Sequence, residues 1–231
     1  ADDMSPEVYR ALIRHAHQRG LRVVAHAVTL EDAKHLADAG VDVIAHSVRD
    51  RDVDSELIAK FTRQDVGYIP TLTRNLSLFL YESVPSFFGD PFFVRASASY
   101  KTDMELIQNR AFQETVRSSE QAQAGKRTLA QAKRNLKLLV DGGVRIAMGT
   151  DSGTQVGRWQ GYFEHIELEL MVEAGLAPMQ ALVAATGDAA KVMHLDELGT
   201  LEPGKWADFV VLNENPLDDI KNTQRIHSVW V

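Results

Sequence analysis

The first part of the chain alternates between short apolar runs and longer stretches whose apolar positions recur at helical spacing. Ser5 and Pro6 begin a predicted helix, because serine is a good N-cap and proline suits the first helical position. The β-branched run 21–25 then predicts a buried strand that ends at His26. A second helix and a second short strand at 41–45 repeat the unit.

The same alternation continues along the chain. Further helices are predicted at 55–64, 128–140, 163–174 and 178–192, and further strands at 66–72, 144–148, 206–212 and 226–231. Strands that alternate with helices predict parallel pairing through crossover helices. The spacing of about 20 residues between the first strand ends is typical of a (β/α) barrel, so the predicted fold class is α/β.

Two regions lack this alternation of strands and helices. Residues 74–125 contain no strand–helix unit, and half of the Phe and Tyr residues of the chain lie between Phe79 and Tyr100. We interpret them either as a partly helical excursion over the mouth of the barrel or as a packing or dimer surface. Residues 196–231 instead contain turn-forming residues and short predicted strands. The predicted domains are therefore 1–195, a barrel portion with this insertion, and 196–231, a small β module.

Composition and charge exclude several classes of protein. With 45% apolar and 25% charged residues, the 231-residue chain has the profile of a folded globular protein. The net charge of −7 argues against a nucleic-acid or anionic-membrane surface, and no apolar run approaches the ~20 residues of a membrane span. The absence of cysteine excludes thiol catalysis and thiolate metal sites. No signal peptide is recognisable, which slightly favours a cytoplasmic location without fixing the compartment.

Three of the four predicted barrel strands are followed directly by a residue that can bind a metal ion. These residues are His26, His46 and Asp151. The carboxyl ends of barrel strands carry the active site, and imidazole and carboxylate are ligands of zinc and similar ions. A lone histidine at a strand end is more often structural, but the recurrence favours a metal site. His15 and His17 lie in a predicted helix, where neighbours two apart point in different directions, so we interpret them as structural.

Four further residues are candidates for contact with a substrate. Tyr68, Arg158 and Tyr162 lie near the predicted barrel mouth, and an arginine or a tyrosine hydroxyl suits a substrate carboxylate. His165 begins the helix after the fourth strand and could overhang the site. Each of these residues, taken alone, is more often structural.

The strings VVAHA, VIAHS and AMGTDSG, which contain His26, His46 and Asp151, resemble strands five, six and eight of the amidohydrolase superfamily of metal-dependent hydrolases. The tail string LGTLEPGKWADFVVL is similar to the imidazolonepropionase-like and Xaa-Pro-dipeptidase-like branch of that superfamily. The similarity extends from about Ser5 to the last residue, apart from the aromatic insertion.

The resemblance implies a fold and a set of roles. The chain would be the C-terminal half, strands five to eight, of a TIM-type (β/α)8 barrel together with part of a small β-sandwich. A complete site in such enzymes holds two divalent ions, most often zinc. His26 and His46 would bind the more buried ion. Asp151 would bind the other ion, take a proton from the attacking water and pass it to the leaving amine.

The remaining ligands of the family have no counterpart at a strand end of this sequence. They are a His-x-His pair on the first strand and a carboxylated lysine on the fourth, whereas Lys34 lies in a predicted helix and Lys101 in the insertion. We expect the missing N-terminal half of the barrel, or a partner chain, to supply them, since four strands cannot close a barrel of eight. A homo-oligomer is a further expectation, because open sheet edges invite pairing.

The leading hypothesis is a metal-dependent hydrolase of amide or peptide bonds in small molecules, a dipeptidase or an N-acyl-amino-acid hydrolase. A deaminase or an imidazolonepropionase-type hydrolase of cyclic amides is the first alternative. It ranks second because the glutamate typical of nucleobase deaminases does not follow His26. The second alternative is a catalytically inert half-barrel that only associates with its other half. The sequence names neither the substrate nor the metal.

Overall fold

A short parallel sheet organises the first part of the fold. In the computed structural model, which describes residues 4–231, three strands lie side by side in chain order. They are β1 (Val24–His26), β2 (Val43–Ala45) and β3 (Gly67–Ile69). Val43 pairs with Val24 on one side and with Gly67 on the other. The predicted α/β class and the parallel pairing are confirmed, although each strand is shorter than predicted.

Residues 144–148 extend this sheet without forming a regular strand. A single parallel bridge joins Ile146 to Tyr68. Tyr68 N donates a hydrogen bond to Arg145 O (3.0 Å), and Ala147 N donates one to Tyr68 O (2.9 Å). The fourth predicted strand is therefore in the expected place beside β3, but it is reduced to one bridge.

Helices alternate with the strands as the apolar spacing predicts. They are α1 (Pro6–Gln18), α2 (Leu30–Asp38) and α3 (Ser55–Gln64). Thr29 caps α2 by accepting a hydrogen bond from Asp32 N, and Asp54 caps α3 by accepting one from Leu57 N. Short polar side chains thus satisfy free amides at the helix starts. The predicted bounds of the third helix are confirmed.

Residues 72–118 form a series of short helices. These are α4 (Leu72–Leu76), α5 (Pro91–Ala96), α6 (Lys101–Gln108) and α7 (Arg110–Ser118), with 3-10 turns at Leu80–Glu82 and Ser86–Gly89. Their apolar side chains pack with residues that follow Asp151 into a separate core, here called the aromatic cluster, formed by Tyr81, Phe93, Ile107, Trp159, Tyr162 and Phe163. The excursion is helical, and these side chains pack within the chain itself.

A hydrogen bond between Tyr81 and Gly157 connects this excursion to the segment after Asp151. The Tyr81 hydroxyl donates a hydrogen bond to Gly157 O and accepts one from Trp159 Nε1 (2.9 Å). Gly157 has φ +75, and a side chain there would collide with the Tyr81 ring. Only glycine combines this backbone conformation with so close an approach.

Four further helices complete the helical part: α8 (Glu120–Asp141), α9 (Phe163–Glu173), α10 (Pro178–Ala185) and α11 (Gly187–Met193). Two predictions were wrong here. The first of these helices begins at Glu120 and not at residue 128, because Ser119 Oγ accepts a hydrogen bond from Ala122 N and caps it. The predicted helix 178–192 is divided at Thr186, whose φ of −127 and ψ of −92 lie outside the helical region.

The C-terminal residues form an antiparallel hairpin of β4 (Phe209–Leu212) and β5 (Ile226–Trp230), with a 3-10 turn at Ile220–Gln224 between them.

The main core lies between the parallel sheet and helices α2, α3, α8 and α9. Within residues 4–231 the sheet stays open and does not close into a barrel. β1 lies at its edge, where Val24 is 51% exposed. Among the described helices, none combines the length and the apolar character that a membrane span requires.

Candidate metal and catalytic site

The carboxyl ends of β1 and β2 bring two imidazoles together. His26 is the last residue of β1, and His46 directly follows β2, the next strand in the parallel sheet. The rings stack with centroids 4.7 Å apart, and His26 Nδ1 lies 2.7 Å from His46 Nε2. The two predicted histidine ligands are therefore adjacent, and one nitrogen of each ring faces the other ring.

Thr71 contacts the ring of His46, and burial and nearby charges determine the protonation state of that ring. His46 Nδ1 lies 2.9 Å from Thr71 Oγ1, in the loop after β3. His46 is buried, and burial together with the charges of Arg74 and His26 lowers its pKa to about 4. At neutral pH the ring is therefore uncharged, which is the form of imidazole that binds metal ions.

Asp151 is held by two guanidiniums. Its Oδ2 lies 3.0 Å from Arg158 Nη1 and 3.3 Å from Arg74 Nε. Arg158 is almost completely buried, and its Nε also donates a hydrogen bond to Ser77 Oγ (3.1 Å). The negative charge of Asp151 acts on His46, where it opposes the effect of Arg74 on the pKa. The third predicted ligand thus lies within electrostatic range of the histidine pair.

Arg74 was not among the residues predicted from the sequence. It follows β3 at the same end of the sheet as His26 and His46. The rule that selected those histidines, a metal-binding residue directly after a strand, does not select an arginine five residues beyond β3. Arg158, which was predicted as a substrate contact, reaches the site through Asp151.

The other three predicted substrate contacts pack against, or form hydrogen bonds with, other residues of the protein. Tyr68 is fully buried, and its hydroxyl accepts a hydrogen bond from Val48 N (2.8 Å). Tyr162 is a buried member of the aromatic cluster. His165 Nδ1 lies 2.9 Å from Thr223 Oγ1, and its ring packs edge-on against Phe92. Each of the three side chains thus has structural contacts, and their contact with a substrate stays a prediction.

The turn that carries Asp151 has its own polar support. Glu164 Oε1, at the start of α9, accepts hydrogen bonds from Thr150 Oγ1 (3.1 Å) and Ser152 Oγ (2.9 Å). Asp151 lies between these two residues and has φ 58, a left-handed conformation that is costly for a residue with a side chain. The carboxylate of Glu164 therefore anchors both neighbours of the strained residue.

The donor set fits part of a metal site. Two imidazoles at the ends of adjacent strands suit zinc or a similar ion. A structural or catalytic zinc site needs at least three protein ligands. Within residues 4–231, no three histidine or carboxylate groups lie close enough together to hold an ion, because Asp151 is turned toward its two guanidiniums. The residues present thus supply two donors, and Asp151 is a nearby third group.

Comparisons with known proteins identify the family to which the chain is similar. The sequence profile of the amidohydrolase family matches residues 3–231. An imidazolonepropionase from Deinococcus deserti is 34% identical over 96 residues, which are 40% of this chain and 24% of that protein. An ochratoxinase from Aspergillus niger is 37% identical over 97 residues, which are 39% of this chain and 19% of that protein.

A solved structure shows the same fold over nearly the whole chain. A protein from Bifidobacterium longum assigned as a prolidase superposes with a TM-score of 0.75 at 31% identity. The superposition covers 98% of this chain and 49% of that protein. The chain therefore spans about half the length of this relative, and the segments matched in the two curated relatives are about a quarter or less of their lengths.

Proposed function

Because this chain belongs to the amidohydrolase family, we propose that it carries part of the active site of a metal-dependent hydrolase of amide or peptide C–N bonds. Dipeptides or N-acyl amino acids are the substrates that we propose. The observation that supports this most directly is the contact between the strand-end imidazoles of His26 and His46, with Asp151 in electrostatic range. Members of this family are hydrolytic enzymes and generally depend on a metal ion.

His26 and His46 would hold one divalent ion, for which zinc is the best chemical match. Asp151 would contribute to a second ion in the complete site. Bound ions of this kind polarise the scissile carbonyl and favour ionisation of the attacking water. Thr71 supports the ring of His46 from the opposite side, as partner groups do for metal-binding histidines.

Asp151 would act as the general base. It accepts a proton from the attacking water, whose oxygen bonds to the carbonyl carbon, and it returns the proton to the nitrogen as the C–N bond breaks. Both guanidiniums contact Oδ2 of Asp151. Within the described residues Oδ1 accepts no hydrogen bond, whereas Oδ2 accepts one from Arg158, so Oδ1 is the oxygen that we assign to the proton transfer.

The charges around the site favour a substrate with a free carboxylate. Arg49 also lies close to the site, because its charge contributes to the lowered pKa of His46. Burial and the charge of Arg74 lower the pKa of Arg49 itself to about 10. Within residues 4–231, Arg49 makes no ion pair, and Asp151 is the only carboxylate that pairs with Arg74 or Arg158. Three guanidiniums beside one carboxylate would attract an anionic group, and arginine binds carboxylates well.

We further propose that the remaining ligands come from outside these residues, from another segment or from a partner chain. The open edge of the sheet at β1 supports this, because His26 lies on that edge strand. We also propose that 196–231 contribute to a small β domain, which the β4–β5 hairpin supports. The similarity to an imidazolonepropionase favours a cyclic-amide hydrolase as the second candidate function.

Zinc affinity is the first test. Competition with a chromophoric chelator, made on the whole protein that contains this chain, should show bound zinc, and His26→Ala and His46→Ala should each weaken this affinity strongly, because each removes one imidazole donor. His15→Ala is the matched control, because it makes the same change within α1, away from the strand ends. Equal affinity in the wild type and all three variants would contradict a site at the histidine pair.

Hydrolysis is the second test, made on the whole protein that contains this chain. Dipeptides and N-acyl amino acids with free carboxylates are compared with the same compounds amidated at that carboxylate. We expect chelator-sensitive hydrolysis that prefers the free carboxylate, and Arg74→Ala should raise KM for that form only. Turnover confined to cyclic amides supports the second candidate, and absence of chelator-sensitive turnover contradicts both.

A further inference from the structure

Glu167 is a buried carboxylate whose hydrogen bonds all lead to the loop after β3. It lies in α9 and is fully buried. Its Oε1 accepts a hydrogen bond from Leu72 N (2.7 Å), and its Oε2 accepts one from Thr73 N (2.7 Å). These are the first two amides of α4, which the N-cap residue Thr71 leaves without a side-chain partner. Glu167 therefore caps a helix that is distant in the sequence.

The first consequence concerns His46. Thr71, directly before the two anchored amides, has φ 47, although a β-branched residue avoids the left-handed region. Such a conformation is costly and persists only where surrounding contacts hold it. The bonds from Leu72 and Thr73 to Glu167 are such contacts. They keep the Thr71 hydroxyl 2.9 Å from the His46 ring.

The second consequence concerns Asp151. Thr73 Oγ1 lies 2.8 Å from Glu167 Oε2 and 3.0 Å from the carbonyl oxygen of Thr150. Thr150 directly precedes Asp151. The hydroxyl has one hydrogen, so it bridges these two oxygens when the Glu167 carboxyl group is protonated and donates to Thr73 Oγ1. One carboxyl group is then connected to both loops that carry the candidate ligands, to one through backbone amides and to the other through the Thr73 hydroxyl.

We propose that Glu167 is a positioning residue for the candidate metal site, and that it sets the relative placement of His46 and Asp151. This inference rests on the proposed function. A helix cap alone does not explain a buried carboxylate here, because a serine or aspartate at the N-cap position would satisfy the same amides near the surface. Burying a carboxylate is costly without a cation, and within residues 4–231 no cation pairs with Glu167.

The first test uses Glu167→Ala, with Glu173→Ala as the matched control. Glu173 is in the same helix but pairs with Lys133 on the surface. Amide hydrogen exchange at Leu72 and Thr73 should become roughly 10- to 100-fold faster in Glu167→Ala, because each loses a hydrogen bond to a charged acceptor. The ring nitrogen NMR shifts of His46 should change, and zinc affinity should fall about 10- to 100-fold. The control should change none of these.

A second variant keeps the inference testable if Glu167→Ala does not fold. Thr73→Val removes the hydroxyl and preserves the shape, so it should loosen the Asp151 turn and leave the His46 ring shifts unchanged. Unchanged His46 shifts and zinc affinity in a folded Glu167→Ala protein overturn the inference, as does a Thr73→Val protein whose Asp151 amide exchanges at the wild-type rate. A whole protein with no zinc affinity contradicts the proposed function, and the exchange and NMR measurements still decide the role of Glu167.

Discussion

The candidate metal site and the aromatic cluster are stabilised in different ways. His46, Thr71 and Asp151 all have left-handed backbone, with φ of 74, 47 and 58, and polar side chains hold them. Phe93 in the aromatic cluster instead packs edge-on against Trp159 and Tyr162, with ring centroids 5.3 and 4.9 Å away. Hydrogen bonds preserve a strained geometry in the first region, and apolar burial contributes stability in the second.

Asp151→Asn should give the largest effect, chiefly on activity. An amide cannot accept the proton from water, so kcat should fall by about 10²- to 10⁴-fold. The urea unfolding midpoint should also fall, as a smaller effect, because the buried Arg158 loses its charged partner and keeps only an amide oxygen as acceptor. Asp65→Asn is the matched control, because Asp65 also has left-handed backbone (φ 51) and pairs with an arginine, Arg145. A wild-type kcat in Asp151→Asn would exclude this residue as the base.

Phe93→Ala should give the opposite pattern. Removing a fully buried ring from the aromatic cluster should lower the free energy of unfolding by about 3–5 kcal/mol, measured by urea denaturation. Zinc affinity should stay within about twofold. Val94→Ala, at a half-exposed position in the same helix, should lower stability by less than about 1 kcal/mol. A parallel loss of zinc affinity in Phe93→Ala would show that the two regions are energetically coupled.

Glu167 should make stability depend on pH with a defined sign. Burial, opposed by the bonds from Thr73 and Leu72 and increased by the charge of Glu164, raises its pKa from 4.5 to about 7. The folded protein thus holds this proton more tightly than the unfolded chain. The stabilisation from the proton is complete below about pH 4.5 and is lost as the pH rises through about 7, a change of about 3 kcal/mol.

Unfolding free energies of the wild type and Glu167→Gln, measured between pH 4.5 and 8, isolate this contribution. Glu167→Gln removes the titrating group, so the difference between the two proteins should change by about 3 kcal/mol over this range, with the wild type losing more stability as the pH rises. Glu169→Gln is a control on the same helix, since burial also raises the pKa of Glu169. A difference between the wild type and Glu167→Gln that is independent of pH would show that Glu167 does not titrate in this range.

The parts of the fold that depend on local signals could be predicted from the sequence. The helix at Ser55–Gln64 follows from its apolar spacing and from Asp54, whose capping bond spans three residues. His26 and His46 were candidates because apolar runs end directly before them. The predicted strand 66–72 was wrong at its end, because α4 begins at Leu72.

Contacts between distant segments explain most of what the sequence did not reveal. The start of α4 depends on Glu167, 95 residues after Leu72, and no local pattern marks that pairing. Tyr162 resembled a substrate contact because it is a tyrosine near a strand end, but its partners are aromatic residues of the excursion. Residue type and spacing indicated which side chains can do chemistry, whereas the tertiary contacts decide which of them face the site.

The free edge of β1 has a consequence for work with this chain in solution. Within the described residues its outer backbone groups have no strand partner, and Val24 is half exposed beside them. Such an edge is a template for β-strand addition, so two chains can pair there, or many can aggregate. Because His26 is part of that edge strand, self-association would cover one of the two imidazoles. Protein concentration is therefore a variable in every zinc-binding measurement on this chain.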